Sequence, residues 1–502
     1  MNVTKVYGPP GTGKTTFLLN TVDRFLEAGT PPQSIGYFAF TRKAAHEGRD
    51  RAYARFQHLQ KSDLVNFRTL HSLAYARLGV SSSKLIGPKG YKEFADLVGI
   101  SISTEVRDEA WDVRADNAIL NVMNLARMRM TDLRTEYNRS NLSVEWYHMV
   151  YIYESYRKYL SSNNLMDFTD MLEFFSNESD ELYPKLDVLI IDEAQDLSPL
   201  QWKIVDRLVK HAKEAFIAGD DDQAIFTWAG ADVTHFLSYP SKEIVLDQSY
   251  RVPSAVHKLA DNIVHRIKYR TEKIYRPREV EGAVHYYSRF EYIDFSQPGS
   301  WLILAASNYM LSDVHEHLKS LGLLFERNHI RSISESIVNA VYSWEALRKG
   351  REINAQEAKN MYKYIDKSLV THGYRNFHGP DDEMYNMSKL VQHYGLTETD
   401  SKLAWFFVLT KISEDKVVYI RSALRRGQSL RGTPTISLST IHGAKGGEAD
   451  NVVLLTDLTT KFMDEYNQRP DNINRLLYVG VTRTKDQLHV VYPKNTSKGF
   501  FV

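Results

Sequence analysis

At 502 residues the chain is too long for one hydrophobic core and predicts about three or four domains. Hydrophobic residues at 43% and charged residues at 25% are ordinary for a globular protein, and a formal net charge of +1 confines any nucleic-acid site to a local groove. The lack of cysteine excludes disulfide scaffolds, cysteine-ligated zinc and iron–sulfur clusters, and no stretch approaches the ~18 uninterrupted apolar residues of a membrane span. The first strand comes almost at the start, which leaves no room for a cleavable signal and reads as a cytoplasmic protein. The 30 tyrosines and seven tryptophans read mostly as packing residues.

The run Val3-Thr4-Lys5-Val6-Tyr7 leads into Gly8-Pro9-Pro10-Gly11-Thr12-Gly13-Lys14-Thr15-Thr16, and Phe17-Leu18-Leu19 then opens an apolar helical pattern. Strand, glycine-rich loop and helix in this order fit the phosphate-cradling P-loop. Gly11 and Gly13 would let backbone amides approach phosphates at the positive end of the helix, with Thr12 and Thr16 in the same nucleotide-binding run. Lys14 would reach the β- and γ-phosphates, and the Thr15 hydroxyl would ligate Mg²⁺.

A second buried strand is predicted over Gln33 to Phe40, running into Thr41-Arg42-Lys43-Ala44-Ala45 and a helix that carries Arg49, Arg51 and Arg55. Leu64 to Thr69 reads as another strand before Leu70-His71-Ser72. From about Ser81 to Asn163 the pattern turns helical, punctuated by Gly87-Pro88-Lys89-Gly90, with helices over Trp111 to Met130 and Trp146 to Leu160. This interval reads as a helical insertion. The α/β pattern returns at Asp167 to Leu172, and Val188-Leu189-Ile190-Ile191 is a buried strand that presents Asp192 and Glu193 at its tip. Asp192 would hold Mg²⁺ and Glu193 would polarise the attacking water. Ala215 to Gly219 gives a further strand ending in Asp220-Asp221-Asp222-Gln223, where the Gln223 amide suits a γ-phosphate sensor. Phe226 and Trp228 follow, and aromatics so placed suit base stacking, although an isolated tryptophan is by default a core residue.

Glu243 to Asp247 and then Gln248-Ser249-Tyr250-Arg251 precede a second α/β pattern that includes Trp301 to Ala305. Between about Arg331 and Arg431 the chain is again helical and polar. Thr435 to Thr440 is a strand that runs into Ile441-His442-Gly443-Ala444-Lys445-Gly446-Gly447-Glu448, and Asn451 to Thr456 is another. Arg475 to Arg483 leads to a last strand over Gln487 to Tyr492. The chain shows no low-complexity tract and no short repeat.

Taken in order, these motifs resemble the superfamily-1 A helicases of the UvrD/Rep/PcrA type, over nearly the whole chain apart from the two inserted regions. The resemblance implies two RecA-like P-loop NTPase domains, parallel sheets flanked by helices, each with a mainly helical insertion and with ATP bound between them. It divides the chain into a first domain over 1–80 and 164–247, its insertion over 81–163, a second domain over 248–330 and 432–502, and a reduced insertion over 331–431. It implies catalytic roles for Lys14, Asp192, Glu193, Gln223, Arg251 and Arg483, the two arginines as fingers on the γ-phosphate. Tyr250 would stack on adenine, Glu448 would bond the ribose, and Thr41, His71, Phe226, Trp228 and His442 would line single-stranded DNA.

Three positions depart from the pattern. Only seven residues precede Gly8, where the family carries a glutamine-containing adenine-recognition segment; Thr16 replaces an arginine that often sandwiches the base; and Ala229 replaces the arginine that often follows the tryptophan. The first two leave Tyr250 as the main base contact. The second insertion, about 75–100 residues, is shorter than in large members. The implied activity is an ATP- and Mg²⁺-dependent helicase that moves 3′ to 5′ and opens duplex, on single-stranded DNA and single/double-strand junctions, with replication or recombination proteins as partners. The alternative is a translocase that strips bound proteins or remodels recombination intermediates without processive unwinding.

Overall fold

The computed structural model describes residues 2–40, 42–56, 59–60, 62–106, 113–397 and 402–501. The chain divides into two units, one of residues 1–281 and 464–483, the other of residues 282–463 and 484–502. Among the described residues no helix is long and apolar enough to cross a membrane.

The first unit is built on a six-stranded sheet in the spatial order Phe67–Thr69, Ile35–Ala39, Leu186–Asp192, Ala212–Gly219, Asn2–Tyr7, Lys242–Val245, every neighbouring pair parallel. A parallel sheet covered on both faces needs strands that are apolar throughout, and Val188 to Ile191 and Ile35 to Ala39 are buried along their whole length. Parallel strands place all their carboxyl ends on one edge, where open α/β sheets bind ligands. The P-loop, Asp192, Glu193 and Gln223 all follow strand ends on that edge. Local signals set the helix starts: Ser198 and Gln201 form a capping box with Pro199 in the first turn, and Asp167 and Asp170 form another.

The insertion over 81–163 has its own apolar core, which includes Phe94, Leu120, Met123, Met149, Ile152 and Leu160. Two expectations change here. Gly87 and Pro88 start the helix Pro88–Val98 instead of breaking the chain, because proline in the first turn loses no needed hydrogen bond. Of the helix expected over Trp111 to Met130, Trp111 and Asp112 lie outside the described residues, and the helix itself spans Ala118–Met128, with the Asn117 side chain capping Ile119 and Leu120. Val113–Asp116 pairs instead with Ser103–Val106 as an antiparallel hairpin.

The second unit carries a seven-stranded sheet in the order Ala283–Tyr287, Thr484–Val491, Ala449–Leu455, Trp301–Ala305, Ile436–Thr440, Phe325–Arg327, Ile330–Arg331, parallel except for the last pair. Helices Glu335–Arg348, Ala355–Tyr362, Met387–His393 and Glu414–Arg425 lie between these strands in sequence. They share one continuous apolar core with the sheet, from Trp301 and Phe325 to Trp344, Tyr385 and Ile420. This region stands on the core of its sheet, whereas the first insertion buries a core of its own.

Candidate nucleotide and strand-binding site

The P-loop is closed by its own backbone. The Gly8 amide donates to the Gly219 carbonyl at 3.0 Å, and the Thr12 amide and hydroxyl both donate to the Pro9 carbonyl, at 3.2 and 2.8 Å. Gly11 has φ +72°, and a Cβ there would lie 2.4 Å from Arg251 Cβ, so glycine is required by both conformation and space. Gly13, at φ +75°, begins the helix Lys14–Glu27 without any side-chain cap, which leaves the first amides of the helix for a ligand. The Gln248–Pro253 strand seats directly on this loop: Tyr250 N–H donates to Gly11 O at 2.8 Å and Ser249 Oγ to Pro10 O at 2.7 Å. Tyr250 is 71% exposed with its ring beside Gly13, open for a base to stack on it.

Lys14 Nζ lies 3.5 Å from Asp192 Oδ1 and pairs more closely with Glu193 Oε1. Burial pulls the Lys14 pKa down, but Glu193 and Asp192 outweigh it and hold the ammonium above its ordinary value. Burial raises the Asp192 carboxyl, with Lys14 and the Tyr37 hydroxyl opposing, and the net shift is upward. Tyr37 O–H donates to Asp192 Oδ2 at 2.7 Å. Glu193 occupies the left-handed region at φ +56°, a strained conformation for a residue with a side chain, and one that is found at functional sites. Its Oε2 accepts from Gln195 Nε2 at 2.6 Å, while Gln195 Oε1 accepts from the Asp220 amide at 3.1 Å. The buried Gln195 thus aims the carboxylate of Glu193. A hydroxyl at Thr15 and a carboxylate at Asp192 are hard oxygen donors of the kind that suit Mg²⁺, and each Asp192 oxygen has a second lone-pair direction beyond its internal hydrogen bond.

Gln223 is buried and held at both ends. Its Nε2 donates to Asp220 Oδ2 at 2.7 Å, and its Oε1 accepts from Arg483 Nη2 at 2.8 Å. Arg483 arrives at the end of the helix Pro470–Val481, which belongs to the first unit, and its Nε donates to Val479 O at 3.0 Å. Arg251 packs its Cβ and backbone amide close to Gly11, and that amide donates to Ser249 Oγ at 3.3 Å.

On the strand side, Phe40, Phe226 and Trp228 form a run of rings with centroids 5.4 and 6.1 Å apart. Trp228 is 60% exposed, which excludes the core role that an isolated tryptophan has by default. Arg129, just past the helix Ala118–Met128, donates to the Thr227 carbonyl at 2.6 Å and steadies this turn, near the place where Ala229 lacks the family's arginine. His71 lies on the helix Leu70–Arg77, 5.7 Å from the Phe168 ring. Arg55 bonds Asn20 and Asp23, a structural role. Thr41 lies outside the described residues. Glu448 and His442 belong to the second unit, where Glu448 pairs with Lys485 at 2.8 Å and His442 lies 6.4 Å from the Phe462 ring.

The sequence reading missed Tyr37, Gln195 and Arg129. Gln195 stands two residues after Glu193, a signal that could have been read; Tyr37 hides in a fully apolar strand, and Arg129 is distant in sequence.

Comparison with known proteins agrees with this geometry. The profile of the UvrD/REP helicase N-terminal domain matches residues 1–243, and that of the UvrD-like helicase C-terminal domain matches residues 381–495. The chain is similar to the ATP-dependent DNA helicase Rep of Buchnera aphidicola, 24% identical over 71% of this chain and 54% of the relative. It is similar to the ATP-dependent DNA helicase PcrA of Bacillus subtilis, 24% identical over 74% of this chain and 51% of the relative. A probable DNA helicase of Mycoplasma pneumoniae is 25% identical over 83% of this chain and 82% of its own length. The chain thus spans about half the length of the Rep and PcrA relatives. Two profiles of one family in the right order, over sheets of RecA-like topology with a P-loop and an Asp-Glu pair at one edge, settle its kinship: the chain belongs to the UvrD/Rep-type superfamily-1 helicases.

Proposed function

We propose that the chain is an ATP-dependent DNA helicase that translocates 3′ to 5′ on single-stranded DNA and separates duplex. One observation carries this reading: Lys14, Asp192, Glu193, Gln223 and Arg483 gather at one edge of a parallel sheet, and the segment of Gln223 runs on to the exposed Trp228. In this reading the P-loop amides and Lys14 hold the phosphates, and Tyr250 stacks on the base. Transfer of the Lys14 ammonium from Glu193 to a phosphate frees the carboxylate to take a proton from water. Mg²⁺, held by Thr15 and Asp192, would supply charge neutralisation at the phosphates. Arg483 and Arg251 would stabilise charge on the γ-phosphate oxygens, and Gln223 would sense that group. His71, Phe226 and Trp228 would grip bases, with single/double-strand junctions as the place of loading. The relatives named DNA helicases support DNA as the track, and the Ile441 to Glu448 run supports the polarity by resemblance.

The test is ATP hydrolysis with and without single-stranded DNA, beside unwinding of duplexes that bear a 3′ or a 5′ tail. Strong stimulation with opening of only the 3′-tailed duplex is expected. Stimulation without unwinding would replace this reading with the protein-stripping translocase, and no stimulation would refute both.

A further inference from the structure

Residues 266–275 follow the helix Ser254–Val264, carry no motif, and set Arg270 and Lys273 against the buried carboxylates of Asp220, Asp221 and Asp222. Lys268 and Tyr269 amides both donate to the Asp471 carboxylate at 3.0 Å, in the first turn of the helix Pro470–Val481. Arg270 binds Asp222 through two hydrogen bonds of 2.8 Å. The Thr271 amide donates to Asp221 Oδ2 at 2.8 Å, and Arg475 Nε donates to the Asp221 carbonyl at 2.8 Å. Lys273 Nζ reaches all three neighbouring carboxylates: Asp221, Asp222 at 2.9 Å and Asp220 at 3.4 Å. The triple aspartate therefore faces fixed cations of this chain, with Lys273 as the counter-ion that the three share.

We propose that Lys273 is a positioning residue of the nucleotide site, acting through Asp220 on the orientation of Gln223 and on its contact with Arg483. The proposal rests on the reading of Gln223 and Arg483 as γ-phosphate contacts. An amide side chain has two ends of nearly equal shape and opposite hydrogen-bonding character. A guanidinium only donates and an ionised carboxylate only accepts, so Arg483 fixes the oxygen end of Gln223 and Asp220 fixes the nitrogen end. That selection works only while Asp220 is ionised; a protonated carboxyl can donate, and the amide then has a second orientation.

Asp220 is fully buried beside two further aspartates, a setting that favours the neutral acid. Burial pushes its pKa up to about 6, and Lys273 is the largest influence holding it from going higher. Arg270 is committed to Asp222, and Arg475 meets the backbone of Asp221, so neither replaces Lys273 at Asp220. Asp221, Asp222, Lys14, Arg270, Arg475 and Arg483, and the phenols of Tyr7, Tyr275 and Tyr478, are charged or titratable groups that face this cluster.

The experiment uses the whole chain with the variants Lys273→Met, Lys273→Arg and Asp220→Asn. It measures ATP hydrolysis with oligo(dT), binding of a fluorescent ATP analogue, the pH dependence of kcat, and the crystal structure of Lys273→Met. Displacement of Gln223 is expected to lower kcat on the order of 10²-fold in Lys273→Met, with analogue affinity and KM little changed. The acid limb of its kcat profile should move to higher pH, and Lys273→Arg should restore most of the rate. Asp220→Asn keeps the shape of the cluster, so it tests the same link if Lys273→Met fails to fold, and it too should lose kcat. Wild-type kcat in either Lys273→Met or Asp220→Asn would overturn the proposal. So would a Lys273→Met structure with the Asp220–Gln223–Arg483 contacts intact, whatever the activity. Wild-type hydrolysis that ignores single-stranded DNA would count against the helicase reading alone, because the structural and analogue-binding arms need no DNA.

Discussion

The Tyr37→Phe substitution isolates one hydrogen bond beneath the carboxylate proposed to hold Mg²⁺. The Tyr37 ring is fully buried and stacks on Phe67 at 5.4 Å with planes 13° apart, so phenylalanine keeps the packing and deletes only the hydroxyl. That hydroxyl donates to Asp192 Oδ2 at 2.7 Å in a buried setting. A hydrogen bond to a charged acceptor contributes about 1.5–3 kcal/mol, and each 1.4 kcal/mol is a factor of about ten in affinity. A partner that orients a metal-binding carboxylate typically changes metal affinity about 10- to 100-fold. The two estimates agree. The sign with pH follows from the Asp192 shift: burial already raises its pKa, the hydroxyl lowers it, and removal of the hydroxyl raises it further. Protons then compete better with the cation, so of two pH values the lower shows the larger defect. Titration of Mn²⁺ by electron paramagnetic resonance, with a non-hydrolysable ATP analogue present, measures this without turnover, and a melting curve checks the fold. Unchanged Mn²⁺ affinity at both pH values would refute the placement of the cation on Asp192.

Glu193→Gln keeps the shape but removes the base, so hydrolysis should fall about 10²–10⁴-fold while nucleotide binding persists; rapid turnover by this variant would move the base elsewhere. Trp228→Ala should weaken single-stranded DNA by about 1–3 kcal/mol in an anisotropy titration, with no loss of thermal stability because the ring is exposed; equal affinity would remove Trp228 from the strand path. His489 is buried against Trp301 and His285, and burial first, then His285, pulls its pKa down to about 4. A histidine held neutral in the fold contributes stability that is present above its ordinary pKa and lost as pH falls through about 4. Urea midpoints of the second unit's transition should therefore drop over that range and flatten in His489→Gln; parallel curves would exclude His489 as the source.

Much of the nucleotide site was legible in the chain because its chemistry is local. A left-handed glycine at position 11, a lysine at the helix start and two acids after four aliphatics each follow from short-range requirements of backbone and charge. The strand ends of the first sheet fell close to expectation for the same reason: a buried parallel strand must be apolar along its length, and Val188 to Ile191 could be little else. The helix expected over Trp111 to Met130 failed at its start, because the pairing of Val113–Asp116 with Ser103–Val106 is a contact between segments that periodicity in one window does not record.

Exposure was the other thing hidden. A tryptophan in a turn reads the same whether it packs inward or faces water, and it is the exposure of Trp228 in the folded chain that shows it faces outward. The sequence by itself determined the phosphate-binding loop, the acid pair and the order of the motifs, since these depend on residue type at fixed spacing. Tertiary structure decided what holds them: Tyr37 behind Asp192, Gln195 behind Glu193, and Lys273 behind Asp220. Those partners are set by which strands and loops become neighbours, and a buried charge must find its counterpart in space, wherever along the chain that counterpart lies.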